Sequence, residues 1–174
     1  MDSNWNRFYK LSMTLVTVLF VTSALSHLTS FFHKTSSTGT VALSSVRDIT
    51  ENKSLKADQA NILFEFGADF SSEFDWNLNQ IFVFVVAEYQ TEHKQRNEVT
   101  IWDTIIKDKS EAKLDKKVYV NEYPLRDQYR KTLLGTEVKL KVYYHRMPIM
   151  GFILRYLLTE SEPFVLPSEY FRKQ

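Results

Sequence analysis

Cysteine is absent from the chain. Its absence removes disulfide frameworks, thiol catalysis and thiolate zinc sites together. Glycine and proline are scarce, at four each in 174 residues, which leaves little material for backbone-amide cradles around an anion. Net charge is nearly absent too: 22 basic side chains offset 21 acidic ones, for a total of +1. No bulk field therefore recruits nucleic acid or anionic lipid, and no basic-aromatic pattern resembles a nucleic-acid module. What is abundant is aromatic: 13 Phe, 9 Tyr and 3 Trp. A chain of this length and composition is about one domain with a sizeable core rather than a disordered tail.

Charge is missing in one further place. Between Lys10 and Lys34 no Asp, Glu, Lys or Arg occurs. As a helix, residues 11 to 33 would reach roughly 35 Å, enough to cross about 30 Å of hydrocarbon with some tilt. Two readings compete. Residues 11 to 22 could be the apolar region of a signal peptide, cleaved at the small-x-small pattern Ala24-Leu25-Ser26. The run could instead remain as an uncleaved signal-anchor, which its uncharged continuation to Phe32 favours. Basic residues set the orientation poorly, since Arg7 and Lys10 precede the span while Lys34 and Arg47 follow it. Asn52-Lys53-Ser54 is the sole N-x-S/T sequon; if Asn52 carries sugar, everything after the span faces the secretory lumen. Thr22, Ser26, Thr29 and His33 share one helical face. That stripe could dock on partner helices, or its hydroxyls could simply bond their own preceding carbonyls.

Beyond a polar connector at residues 34 to 40 (KTSSTGT), the dominant period is two. Ile62, Phe64, Phe66, Ala68 and Phe70 alternate with Leu63, Glu65, Gly67 and Asp69. Residues 80 to 90 make a near-continuous apolar strand, covered on both faces in its middle. Residues 99 to 102 follow a polar turn, TEHKQRNE. Val138, Leu140, Val142 and Tyr144 alternate with lysines and Tyr143, residues 151 to 159 form a further strand, and 41 to 49 and 117 to 123 are weaker ones. Residues 104 to 116 have room for one or two helical turns. Short strands joined by polar turns predict an antiparallel β-sandwich.

Chemistry leaves little trace. The histidines are His27, His33, His93 and His145, and none stands in a metal-binding spacing. No G-x-S-x-G occurs. Carboxylates such as Asp75, Glu88 and Asp103 could pair only through the fold. No catalytic residue, cofactor or metal is indicated. Within SSEFDWNLNQIF, Asp75 and Asn77 are turn formers whose short side chains satisfy nearby backbone groups. Trp76 between them is expected to bury its ring, so that Trp76→Ala should cost roughly 3 to 5 kcal/mol as a core truncation. The stretch reads as a corner that aims the next strand.

The same corner carries a family likeness. Phe74-Asp75-Trp76-Asn77, Gln80 and Phe82, then Ala87-Glu88-Tyr89 and Thr91, then Val99, Trp102-Asp103 and Ile105, resemble signal peptidase complex subunit 3, the 22/23 kDa glycoprotein subunit. Val138, Leu140, Pro148, Gly151, Ile153-Leu154 and the stretch from Pro163 to Tyr170 look similar more loosely. The resemblance implies a single-pass type II protein of the endoplasmic reticulum membrane. Residues 1–10 would be cytosolic, 11–33 the signal-anchor, 34–40 a connector and 41–174 a lumenal β-sandwich. Members of that family are non-catalytic and assemble with a serine-type catalytic subunit and small membrane subunits to remove signal peptides. This chain departs from the pattern in three places. Leu134-Gly135-Thr136-Glu137 stands where the family's sequon usually lies, the 107 to 136 segment differs, and Ile149 replaces the Asn after the proline of P-x-x-G. These departures suggest a divergent paralogue. A tethered adhesion or binding ectodomain, or a secreted β-protein released after Ser26, are the other readings of an anchor plus a sandwich.

Overall fold

The structure, a computed structural model, describes residues 3–30, 32–33, 36–54, 56–92 and 94–172. His93 and the first two connector positions, Lys34 and Thr35, lie outside these residues. One helix, α1 (Asn4–Ser30), precedes a set of antiparallel strands. It begins before the uncharged run and ends three residues short of His33. All its large apolar side chains are exposed, and it is long and apolar enough to cross a membrane. Two hydroxyls of the polar stripe make local bonds: Thr22 Oγ1 donates to the Val18 and Leu19 carbonyls, and Thr29 Oγ1 to the Ser26 carbonyl.

The strands are β1 (Thr38–Asn52), β2 (Ala57–Asp69), β3 (Leu78–Thr91), β4 (Lys94–Ile106), β5 (Lys113–Val120), β6 (Leu125–Arg126), β7 (Glu137–Pro148), β8 (Leu154–Glu160), β9 (Phe164–Val165) and β10 (Phe171–Arg172). One sheet runs β10-β1-β2-β5, with β6 also on β2; the other runs β4-β3-β7-β8, with β9 also on β7. Every pairing is antiparallel. The expected sandwich is what the chain forms.

Period-two patterning explains the core. Ile62, Phe64 and Phe66 of β2 meet Ile81, Val83 and Val85 of β3 and Leu140 and Val142 of β7, all fully buried. Burying a Phe or Leu of this kind is worth about 1.5 to 3 kcal/mol. The middle of β3 is buried on both faces, as its unbroken apolar run demands. On its outer side Phe84 stacks on Tyr143, and the Arg155 guanidinium lies 3.6 Å above the Tyr143 ring.

Several boundaries differ from the sequence reading. β1 begins at Thr38, inside the segment read as connector, because Thr38, Gly39 and Thr40 pair with Asp69, Ala68 and Gly67. The polar stretch after Thr91 is mostly strand, since Lys94 to Glu98 continue the pairing with β3. Alternation of charged and polar residues hides a strand whose outer face is wet. The helical turns expected near 104 to 116 reduce to one 3-10 turn, Lys109–Glu111. Far from α1, buried Asp58 accepts bonds from the Tyr170 hydroxyl and the Leu133 amide, which fastens the C-terminal segments.

Candidate functional site

The corner singled out in the sequence lies where α1 meets the sandwich. After β2, Asp69 Oδ1 accepts the Ser71 amide at 2.9 Å and starts a 3-10 turn, Ser71–Glu73. Two residues later Asp75 Oδ1 accepts the Asn77 amide at 2.9 Å, a local Asx turn that delivers the chain into β3. Asp75 therefore does what its type predicts. Trp76 does not: it is 62% exposed. The expected core role is wrong, because Phe74 packs against the core instead and the turn carries the intervening Trp76 side chain outward.

Asn77 also departs from expectation. It is buried, and its side chain reaches across the fold rather than to its neighbours. Asn77 Nδ2 donates to Ser30 Oγ at 2.9 Å and to the Met150 carbonyl at 2.8 Å, while Oδ1 accepts the Met150 amide at 3.0 Å. Its own carbonyl accepts the Ile149 amide at 2.7 Å. One residue thus ties the last turn of α1 to the β7–β8 loop.

Beneath it sits a charge cluster with inward-facing carboxylates and a half-buried arginine. Arg146 donates to Asp75 Oδ2 at 2.7 Å and to the Glu73 carbonyl at 3.3 Å, and its Nε lies 3.3 Å from Glu73 Oε2. Glu73 Oε1 accepts the Ser37 and Tyr144 hydroxyls. Burial, then the Glu73 carboxylate, pushes the Tyr144 phenol up to about 12, so it stays a donor. Two further contacts close the ring: His33 Nε2–H donates to the Ser72 carbonyl at 2.8 Å, and the Ser36 amide donates to Ser72 Oγ at 3.1 Å. The two carboxylates share one guanidinium and Glu73 also accepts two hydroxyls, an arrangement that fastens chain segments.

The other motif residues lie elsewhere. Gln80 donates to the Met147 sulfur. Glu88 pairs with Lys141 at 2.8 Å and with Arg96 at 3.4 Å on the outer face. Tyr89 is buried at the far end of β3, where burial and then the Asp127 charge raise its phenol pKa. Trp102 packs among Phe64, Phe66 and Tyr119. Asp103, next on β4, interacts with Tyr123 and raises that phenol's pKa. Asp75, Glu88 and Asp103 thus each have a partner of their own rather than one another. Asn52 ends β1 at the hairpin most remote from α1. Among the described residues, no cluster of three or more His, Asp or Glu is arranged to hold a metal ion. Glu73, Arg146, Tyr144 and Ser37 were missed by sequence reasoning.

A family model described as signal peptidase subunit matches residues 1–169, from the helix through the sandwich. The chain belongs to that family. Signal peptidase complex subunit 3 of Caenorhabditis briggsae is 30% identical over 165 residues, covering 92% of this chain and 91% of that protein. The rice protein of the same name is 40% identical over 92 residues, 53% of this chain and 60% of its own length. The Dictyostelium discoideum one is 31% identical over 112 residues, 64% of each chain. The chain thus spans under two thirds of the rice and Dictyostelium relatives and nearly all of the nematode one.

Proposed function

We propose that this protein is a non-catalytic accessory subunit of the endoplasmic reticulum signal peptidase complex. In this reading α1 is an uncleaved signal-anchor crossing the membrane once, with residues 1–10 cytosolic and the sandwich lumenal. Its partners are the serine-type catalytic subunit that removes signal peptides and the small membrane subunits of the complex. The observation that carries the reading is the family match running from the helix through the sandwich. The bonds of Asn77 to Ser30, of His33 to Ser72 and of Arg146 to Glu73 and Asp75 form a collar at the base of the sandwich, which adds a physical reason. A sandwich bonded to the last turn of its anchor holds a fixed height and tilt above the bilayer, and placing substrate against catalyst is worth several kcal/mol of barrier. The bound carboxylates of the collar serve that fastening rather than acid–base chemistry. Under this topology the Asn52 sequon faces the glycosylating lumen at the membrane-distal end.

The test is affinity purification of the full chain from mild detergent. Recovery of the catalytic subunit in fixed proportion is the expected result. Recovery of the chain alone, or of a mature form that starts after Ser26, would overturn the proposal.

A further inference from the structure

Asn77 brings the loop between β7 and β8 up against the end of α1, and that loop is apolar. From Met147 to Leu154 the sequence is MPIMGFIL, without a charged residue. Ile149, Phe152 and Ile153 are 63%, 75% and 59% exposed, and Met150 is exposed beside them. Soluble monomers rarely leave so many large apolar side chains together in water without a use for them.

The loop's position relative to the helix is fixed by several contacts. Asn77 bonds both Ser30 and the Met150 backbone. The Phe152 ring meets His27 edge-on at 5.6 Å. Gly151 adopts a φ of +126°, and a Cβ there would fall 2.1 Å from His27 Nδ1; only glycine allows the loop this close. The loop therefore stands level with residues 27 to 30. Counted from Leu11, the uncharged part of α1 reaches Ser30 after about 30 Å, the thickness of the hydrocarbon core. With α1 spanning the bilayer from Leu11, that level is the boundary between acyl chains and headgroups.

We infer that residues 149 to 153 form a membrane-contact loop that enters the interfacial layer of the bilayer beside the end of α1. The inference rests on reading α1 as membrane-spanning. The occupant of this surface is phospholipid, because the loop continues the lipid-facing surface of the helix at the same depth and offers no charge for a polar partner. Side chains at such a depth reach roughly 5 to 10 Å into the headgroup and acyl boundary. The anchor then holds the sandwich at two points, the helix and the loop, and two points restrict its tilt where one would not.

The lack of cysteine makes a clean test available. Phe152→Cys, Ile149→Cys and Lys53→Cys are made singly in the full chain, labelled with a polarity-sensitive fluorophore and reconstituted into phosphatidylcholine vesicles. Lys53 lies in the β1–β2 turn, about 40 Å from the base at the usual strand rise. Lipids carrying a quencher high on the acyl chain should reduce emission at 152 and 149 by about twofold or more, given that insertion depth, and leave position 53 almost unchanged. Labels at 152 and 149 as wet and unquenched as that at 53, in a chain that resists alkaline extraction, would overturn the inference while leaving the span intact. So would labels shielded only after the catalytic subunit is added, which would make the loop a protein contact. A chain that washes out at alkaline pH would instead remove the membrane reading itself, and the inference with it.

Discussion

The two ends of the sandwich expose different surfaces. At the tip remote from α1, the β1–β2 and β3–β4 turns offer Lys53, Ser54, Glu92 and Lys94 to solvent, and ion pairs such as Arg96–Glu98 lie on the surface. At the base the Glu73 and Asp75 carboxylates are turned inward onto a half-buried Arg146, while Ile149, Phe152 and Ile153 are apolar and exposed. Both ends bury a carboxylate that holds chain segments together, Asp58 near the tip and Glu73 at the base. What separates them is the exposed surface, charged at the tip and apolar in the β7–β8 loop at the base.

The sharpest way to break this contrast is to remove one arginine from each end. Arg146→Ala leaves two buried carboxylates without their cation and should cost about 3 to 5 kcal/mol. Arg96→Ala removes a surface partner and should cost roughly 0.2 to 1 kcal/mol. Denaturant melts of the full chain in detergent would compare them; equal losses would mean that the base is not a buried cluster. A second pair contrasts the interior with the corner. Phe66→Ala should lose about 3 to 5 kcal/mol as a fully buried truncation, whereas Trp76→Ala should stay within about 0.5 kcal/mol of the parent.

The smallest expected effect concerns pH. Burial, then the nearby Arg155 charge, holds the His145 imidazole below its ordinary value of 6.5. The folded state thus binds fewer protons than the unfolded one as the pH falls below that value. Stability from this group is intact above about pH 6.5 and is lost as the pH falls through the folded value. His145→Gln should flatten part of the decline in melting temperature between about pH 7.5 and about pH 5.5. An unchanged slope would show that His145 does not titrate in this window.

How far the sequence showed these features depended on range. The core strands β2, β3 and β7 were legible because burial on one face repeats every second residue. The helix was legible because an uncharged run needs no partner to be seen. β1 and the start of β4 were read short, since their polar alternation resembles a loop. The collar was only half legible. Asp75 acts locally and its type reveals it, but Glu73 and Arg146 stand 73 positions apart and meet only after β3 and β7 pair in register. Ion pairs across a sheet leave no period in the sequence. Trp76 was misread because large aromatics are buried on average, whereas this turn presents its polar Asn77 inward and its indole outward.

In the proposed arrangement the collar makes helix and sandwich one rigid body, and a distance measurement decides whether it does. Spin labels at Leu19→Cys and Lys53→Cys, in the full chain in lipid nanodiscs, should give one narrow distance peak. Asn77→Ala, which cuts the bonds to Ser30 and Met150, should broaden it. A broad distribution already present with Asn77 in place would contradict the claim, because the sandwich would then swing on a loose tether.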